Sequence, residues 1–346
     1  MSLESGRTLR KRRRRKWKVL LFFELLILVL LILLAYVFVK LDSIPRRALN
    51  RDALEQVQRE GDFTNIALFG TDAADEVDGM RVEREGDGRS DSIMIASINH
   101  QTGEVKVTSV FRDTLMQQPD GTYSKANAAY AFGGPQQAVA MLNRNLDLDI
   151  ELYITVNFQS LAAIVNVLGG VEIDIQADEI EQTNLYTGVE HGYIITEPGP
   201  QMLSGVQAVG YSRVRYTEGG DFRRAQRQRM VLQQIVSRTR TAGPVKWLRL
   251  VDEALPYVET NLSTPEMLIV GVNLLRIQMD EMEGWPFDVT TSQTVAGLVG
   301  DYVVPIGHAD NVRQLHGFLF GDEHYQVSER VQQISADIAW MTGIYP

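Results

Sequence analysis

Apolar positions fall into distinct patterns along the chain. The first is an unbroken run, VLLFFELLILVLLILLAYVFV at 19–39, interrupted only by Glu24. A helix of that length crosses a hydrocarbon core of roughly 30 Å, so a transmembrane helix is predicted there. The second pattern is a series of short apolar runs bounded by turn residues, which predicts strands: NIALF at 65–69, SIMIASIN and EVKVTSV joined by the turn HQTG, ELYITVNF, and VEIDI. The third is helical spacing. It runs from Pro135 to about Asn145, and again from Phe158, where Leu161, Ala162, Val165 and Leu168 continue the apolar face and Gly169-Gly170 closes it. Strands alternating with helices predict an α/β domain with a central mixed β-sheet flanked by helices.

The patterns divide the chain into a basic tail (1–18), the span (19–39), a charged stalk (40–62), the α/β domain (63–242) and a mainly helical extension (243–346) with stretches such as PEMLIVGVNLLRIQ. The acidic, glycine-rich stretch from Ala73 to Gly88 reads as a mobile loop. No internal repeat is visible.

Charge gives the span a direction. Residues 1–40 hold ten Lys/Arg against Glu4 and Glu24, a net +8, which leaves −18 for the remainder of a chain whose total is −10. The run RKRRRRKWK precedes the span, so the positive-inside rule puts the N-terminus in the cytoplasm and the C-terminal domain outside. No small-x-small cleavage site follows the span, which argues against a cleaved signal peptide. The acidic domain lacks the broadly basic surface of a nucleic-acid binder. There is no cysteine among the 346 residues, which excludes disulfides, thiolate metal sites and a cysteine nucleophile.

Against that acidic average, Tyr211 to Arg229 (YSRVRYTEGGDFRRAQRQR) concentrates six arginines. YSRVRY reads as strand-like, which would point Arg213 and Arg215 to one face. After the turn TEGG, Asp221 suits the cap of a helix running to about Arg238, with Phe222, Met230 and Ile235 as apolar anchors. On it Arg224, Arg227 and Gln228 stand at i, i+3 and i+4. Guanidinium forks beside a helix N-terminus suit a diphosphate. The plain alternative is a solvated basic helix.

Other candidates stand where predicted strands end. Asp72 follows NIALF, Arg89 and Asp91 lie in GRSDS before one strand, and Arg112 and Asp113 follow another in FRDT. Lys125 and Asn127 lie in YSKANAAYAFGG. His308 and His316 are isolated and read as surface or core residues.

Taken in order, GTD at 70–72, GRSDS at 88–92, SVFRDT at 109–114, KANAAYAFGG at 125–134, LGGVEIDI at 168–175, LSGVQAVGYSRVR at 203–215 and GDFRRAQRQ at 220–228 resemble the LytR-CpsA-Psr family over about half the chain. The resemblance implies a membrane-anchored phosphotransferase of a Gram-positive-type cell membrane. Such an enzyme moves an anionic glycopolymer, wall teichoic acid or capsule, from a polyprenyl-diphosphate carrier to peptidoglycan and releases polyprenyl phosphate. It further implies magnesium, with manganese acceptable, at Asp72 and Asp91, and diphosphate contacts from Arg89, Arg112, Arg213, Arg215, Arg224 and Gln228. Lys125 and Arg227 complete the basic set, and Asp113 is a candidate for proton transfer or for orienting Arg112.

This chain departs from the family pattern in three places. Ala74 stands where an arginine is common, SVFRDT replaces SIPRDT, and Arg223 replaces the glycine before the first helix arginine. Two other classes use the same residues: a non-catalytic binding or regulatory protein for lipid-linked glycans, and an extracytoplasmic pyrophosphatase with water as acceptor.

Overall fold

The computed structural model describes residues 21, 24, 25, 27, 28, 31–57, 62–71, 76, 77, 80, 81, 88, 90–188, 194–274 and 281–346. They fall into two units, 1–43 and 44–346. In the first, residues 31–42 are helical, and Leu31, Ile32 and Leu34 are exposed. Among the described residues no helix is long and apolar enough to cross a membrane, and part of the predicted span lies outside them.

The second unit is built on a mixed six-stranded sheet. Strands β1 (Phe63–Thr71), β2 (Ser90–Asn99) and β3 (Val105–Val110) form an antiparallel meander. After the short hairpin of β4 (Leu115–Gln117) and β5 (Tyr123–Lys125) comes helix α1 (Ala126–Leu146). Strand β6 (Leu152–Asn157) then returns parallel to β1. Helix α2 (Phe158–Leu168) opens with a capping box from Asn157 and Ser160 and closes at Gly169, whose φ of 88° is left-handed.

Strand β7 (Val171–Ile175) leaves the central sheet and pairs with β8 (Gly199–Leu203), on either side of helix α3 (Ile180–Thr187). Three helices follow: α4 (Gly205–Arg213), α5 (Gly220–Arg240) and α6 (Pro244–Glu253). Strand β9 (Val258–Thr260), α7 (Thr264–Leu274), β10 (Met282–Trp285), the hairpin β11 (Val289–Ser292) and β12 (Tyr302–Pro305), α8 (His308–Phe320) and α9 (Glu329–Thr342) complete the order. The sheet reads β9-β6-β1-β2-β3-β10.

Alternation along β2 explains the layering. Ile93 and Ile95 join Ala67, Phe69 and the α1 residues Val139, Met141 and Leu142 in one apolar cluster, which Val312, Leu315 and Leu319 of α8 complete. Met94, Ala96 and Ile98 face the other way and pack with Ile66, Val105, Val107 and Val236 of α5. Both faces of the sheet are therefore covered, as a sheet with buried strands on each side requires.

Three local readings change. Both edge strands, β9 and β10, come from beyond residue 243, so the stretch read as a helical extension completes the sheet. Much of the expected stalk also folds into the second unit, where Leu54 is fully buried and Arg47 N–H donates to the Thr260 carbonyl. YSRVRY is not a strand: α4 runs to Arg213, opened by a capping box between Ser204 and Gln207. That S-x-x-Q signature wins over the apparent alternation of the two arginines.

Helix α5 is capped by Gly219, which takes the left-handed conformation at φ 82°, and Asp221 is free to act inside the first turn. The helical path of α1 breaks at Gly133 and at Gly134 (φ 62°, ψ −153°), so Pro135 begins its second segment as predicted.

Candidate active site: an ion cluster at the sheet end

The register of β1 against β2 slips at one point. Gly70 opposes Ser92 and Thr71 opposes Ser90, which leaves Asp91 as the extra residue of a bulge. Bulges re-aim a side chain, and here the carboxylate of Asp91 reaches the Arg112 guanidinium. Arg112 follows the end of β3, in a turn held by the Thr114 hydroxyl donating to the Phe111 carbonyl at 2.7 Å. Adjacent strand ends thus bring Asp91 and Arg112 together.

Two further carboxylates complete the surround. Arg112 Nε lies 3.5 Å from Asp113 and 3.6 Å from Asp221. Asp113 also pairs with Lys125 Nζ at 3.0 Å, and Asp221 with Arg224 Nη2 at 3.0 Å. The six groups therefore carry three negative and three positive charges. Phe222 packs edge-on against Phe111 with ring centroids 4.7 Å apart, which fastens the start of α5 to the end of β3.

Burial holds the Arg224 guanidinium below the usual arginine value. Burial also pulls on Arg112, but Asp221, Asp91 and Asp113 outweigh it and the group ends up raised. The Asp221 carboxyl is pushed above the usual carboxylate range, first by burial, with Arg224 and Arg112 opposing that shift. The Nε atoms of both Arg112 and Arg224 are buried without a hydrogen-bond partner. Arg112 Nε still lies within ion-pair distance of Asp113 and Asp221, so both side chains are cations fixed by carboxylates at the sheet end, an arrangement that suits an anionic ligand.

The remaining predicted residues divide. Arg213 ends α4 exposed, its guanidinium over the rings of Phe158 and Tyr186 at 5.2 and 4.9 Å. Arg215 is exposed and donates to the Tyr216 hydroxyl at 2.6 Å. Gln182 accepts from the backbone N–H groups of Arg215 and Tyr216, which fixes this loop. Gln228 donates to the Ser212 carbonyl at 3.4 Å.

Arg227 lies beneath the loop and is 1% exposed. It donates through Nε to Glu179 at 2.7 Å, through Nη1 to the Val214 carbonyl and through Nη2 to the Thr217 hydroxyl. Arg224, Arg227 and Gln228 therefore do not present one face to one ligand. Asp72 and Arg89 lie outside the described residues, as do Ala74 and most of the acidic loop.

Two contributors escape sequence reading. Asp221 looks like a cap, although its i,i+3 spacing to Arg224 was a usable signal for a pair. Glu179 offers no signal, because its partner is 48 residues away.

A carboxylate donor set suits a hard divalent cation. Magnesium is commonly held by one or two carboxylates together with substrate phosphates. Asp91 fits that pattern, and among the described residues no group of three carboxylates or imidazoles would hold a metal alone.

The model of the LytR_cpsA_psr family matches residues 36–315, which contain every residue of the ion cluster. The polyisoprenyl-teichoic acid–peptidoglycan teichoic acid transferase TagU of Enterococcus faecalis is 31% identical over 230 residues, 64% of this chain and 71% of that protein. TagV of Bacillus subtilis, named for the same activity, is 31% identical over 186 residues, 52% of this chain and 47% of that one. A TagT structure with bound octaprenyl pyrophosphate lipid shares the fold at TM-score 0.56 and 18% identity, covering 86% of this chain and all of that one. With the mixed sheet, the bulged aspartate and the arginine helix all inside the matched region, the chain belongs to the LytR-CpsA-Psr family.

Proposed function

We propose that the chain transfers an anionic glycopolymer of the teichoic-acid kind from a polyprenyl-diphosphate carrier to peptidoglycan, at the outer face of a cell membrane that residues 19–39 anchor it in. The carrying observation is the convergence of the Arg112 and Arg224 guanidinium groups with Lys125 at one end of the sheet, among carboxylates that hold these side chains in place. The names of the transferase relatives and the pyrophosphate lipid of the TagT structure support this substrate class. The exposed apolar side chains of residues 31–34 support the anchor.

In this mechanism Arg112 and Arg224 bind the diphosphate oxygens and Lys125 adds a third charge at the rim. Arg213, at the end of α4, and Arg215, on the loop braced by Gln182 and Arg227, are both exposed and contact the outer phosphate. An acceptor sugar hydroxyl attacks the glycan-linked phosphorus, and the bond from that phosphorus to the bridging oxygen breaks. Polyprenyl phosphate leaves with that oxygen, and the hydroxyl proton passes to a carboxylate of the cluster, Asp113 or Asp221. Asp91, with Asp72, would hold magnesium or manganese, which supplies neutralising charge to the phosphates. Asp91 also orients Arg112.

The test incubates the full chain with a polyprenyl-diphosphate-linked saccharide, magnesium and an uncrosslinked peptidoglycan oligomer, and reads products by mass spectrometry. A joined glycan-phosphate-peptidoglycan is expected, absent in Asp91→Ala and after chelation. Free phosphorylated glycan as the sole product would make the protein a hydrolase. Binding without any product would make it a sensor.

A further inference from the structure

Beside the ion cluster, α5 forms one wall of a cavity of about 260 Å³. Its rim carries Asp174 and Gln176 at the end of β7 and Arg223 and Gln226 on α5, while Tyr211 and Met230 close its floor. The Arg227–Glu179 pair also lines it. The mechanism uses none of the rim residues. Arg223 is also the position at which this chain departs from the glycine its family resemblance leads one to expect.

The lining selects a ligand class. Its two carboxylates, Asp174 and Glu179, balance its two guanidinium groups, Arg223 and Arg227, so no net charge attracts an ion. Glu179 is already engaged by Arg227 and by the Gln176 backbone N–H at 2.9 Å. The groups at the rim are planar hydrogen-bonding side chains, two amides, a carboxylate and a guanidinium, partly engaged already: Gln176 Nε2 donates to the Asp174 carbonyl at 3.3 Å and Arg223 Nη2 lies 3.9 Å from Glu179. Arg223 Nη1 donates to Gln226 Oε1 at 2.9 Å, which leaves the Gln226 NH2 to donate elsewhere. Planar donors and acceptors over an apolar floor match vicinal hydroxyls above a C–H face. The volume is below the roughly 300–1,000 Å³ of pockets for drug-sized ligands, a fit for a single ring.

Position narrows the class further. Arg223 and Arg224 are adjacent on one helix and about 100° apart around it. The first lines this cavity while the second serves the ion cluster, so a ring held here lies beside the diphosphate.

We infer that the cavity is a subsite for an uncharged pyranose ring of the peptidoglycan acceptor, with Arg223 and Gln226 as its specificity-determining residues. This assignment rests on the transferase reading above.

The test titrates the full chain with a β-1,4-linked N-acetylglucosamine tetrasaccharide by saturation-transfer NMR, and separately with octaprenyl diphosphate. The variants are Arg223→Gly and Gln226→Ala, with unfolding temperatures confirming that each remains folded. The tetrasaccharide is expected to bind the wild type and to bind each variant about five- to ten-fold more weakly, the loss of one or two hydrogen bonds. Octaprenyl diphosphate affinity is expected to stay the same in all three proteins, and the acceptor KM to rise in both variants with kcat unchanged. No tetrasaccharide binding, or equal binding by wild type and variants, would overturn the subsite and leave the transferase reading intact. Octaprenyl diphosphate failing to bind the wild type would overturn that reading and the acceptor assignment together.

Discussion

Arg224 and Arg227 stand three residues apart on one helix and are both buried, yet their surroundings differ in kind. Arg227 has Nε, Nη1 and Nη2 all engaged, by a buried carboxylate, a backbone carbonyl and a hydroxyl. Arg224 has one carboxylate partner and a buried Nε with none. A guanidinium whose three nitrogens are each engaged inside the fold has little to offer a ligand, so Arg227 is a strut. One held by a carboxylate but left short of acceptors suits an anion, which is the clamp role proposed for Arg224. Residue type and spacing are the same in both cases. What separates them is the environment supplied by distant segments.

Removing the partner of the strut should give the largest effect on stability. Glu179→Ala leaves a buried guanidinium without its counter-charge, and breaking such a pair costs about 3–5 kcal/mol. Denaturant midpoints would register the loss. The double variant Glu179→Leu with Arg227→Met should recover more than half of it, because matched apolar groups can replace a buried pair. A double variant no more stable than Glu179→Ala would mean that the strut works through its loop contacts, not through the charge pair.

Arg112→Ala should separate the two roles in the opposite sense. Transfer is expected to fall about 10²- to 10³-fold, equivalent to about 2.7–4 kcal/mol of transition-state stabilisation. Arg112→Lys should fail to restore it, because an ammonium lacks the planar fork. Unfolding free energy should move by less than for Glu179→Ala. Unchanged transfer in a folded Arg112→Ala protein would break the clamp assignment.

His308 tests whether an unpartnered nitrogen always marks function. Its Nε2 meets the Asn145 carbonyl at 2.9 Å and so carries the proton, while Nδ1 is buried without a partner. The ring packs edge-on against Trp285 in the main core, remote in sequence from every cluster residue. Burial holds the imidazole down at about 4. A depressed folded value means stability that is present above the ordinary value of about 6.5 and lost as pH falls toward 4, amounting to about 3 kcal/mol. Unfolding measured from pH 7 to 4 should show that slope in the wild type and a flatter one in His308→Gln, with transfer at neutral pH little changed in the folded variant.

Much of this fold was legible in the sequence. The meander, β6, α2 with its glycine stop, and α5 all follow from short apolar runs, helical spacing and turn residues. The clustering of Asp91, Arg112, Asp113 and Arg224 was legible because Asp91 stands at the start of one strand and Arg112 and Asp113 follow the end of its antiparallel neighbour, and sheet order brings such termini together. What escaped was non-local. No local pattern announces that Val258–Thr260 and Met282–Trp285 become sheet edges, since the stretches are only three and four residues long. The alternation of Arg213 and Arg215 looks extended, although Ser204 and Gln207 set a helix running toward them. Arg227 was grouped with Arg224 because helical spacing counts faces, and only the fold reveals which face meets Glu179.

The exposed pair Arg249–Glu253 supplies the small end of the scale. Its partners stand at i,i+4 on α6 with Nε to Oε1 at 2.9 Å, a contact as short as many in the buried regions. Distance alone would rank it with the strut. Solvent argues otherwise, because both side chains are about half exposed and water screens the charges. Arg249→Ala should therefore change unfolding free energy by no more than about 0.5 kcal/mol, less still in high salt, and leave transfer untouched. A loss approaching that of Glu179→Ala would show that contact distance, not burial, sets the strength of ion pairs in this protein, and the contrast between Arg227 and Arg224 would have to rest on their hydrogen-bond partners alone.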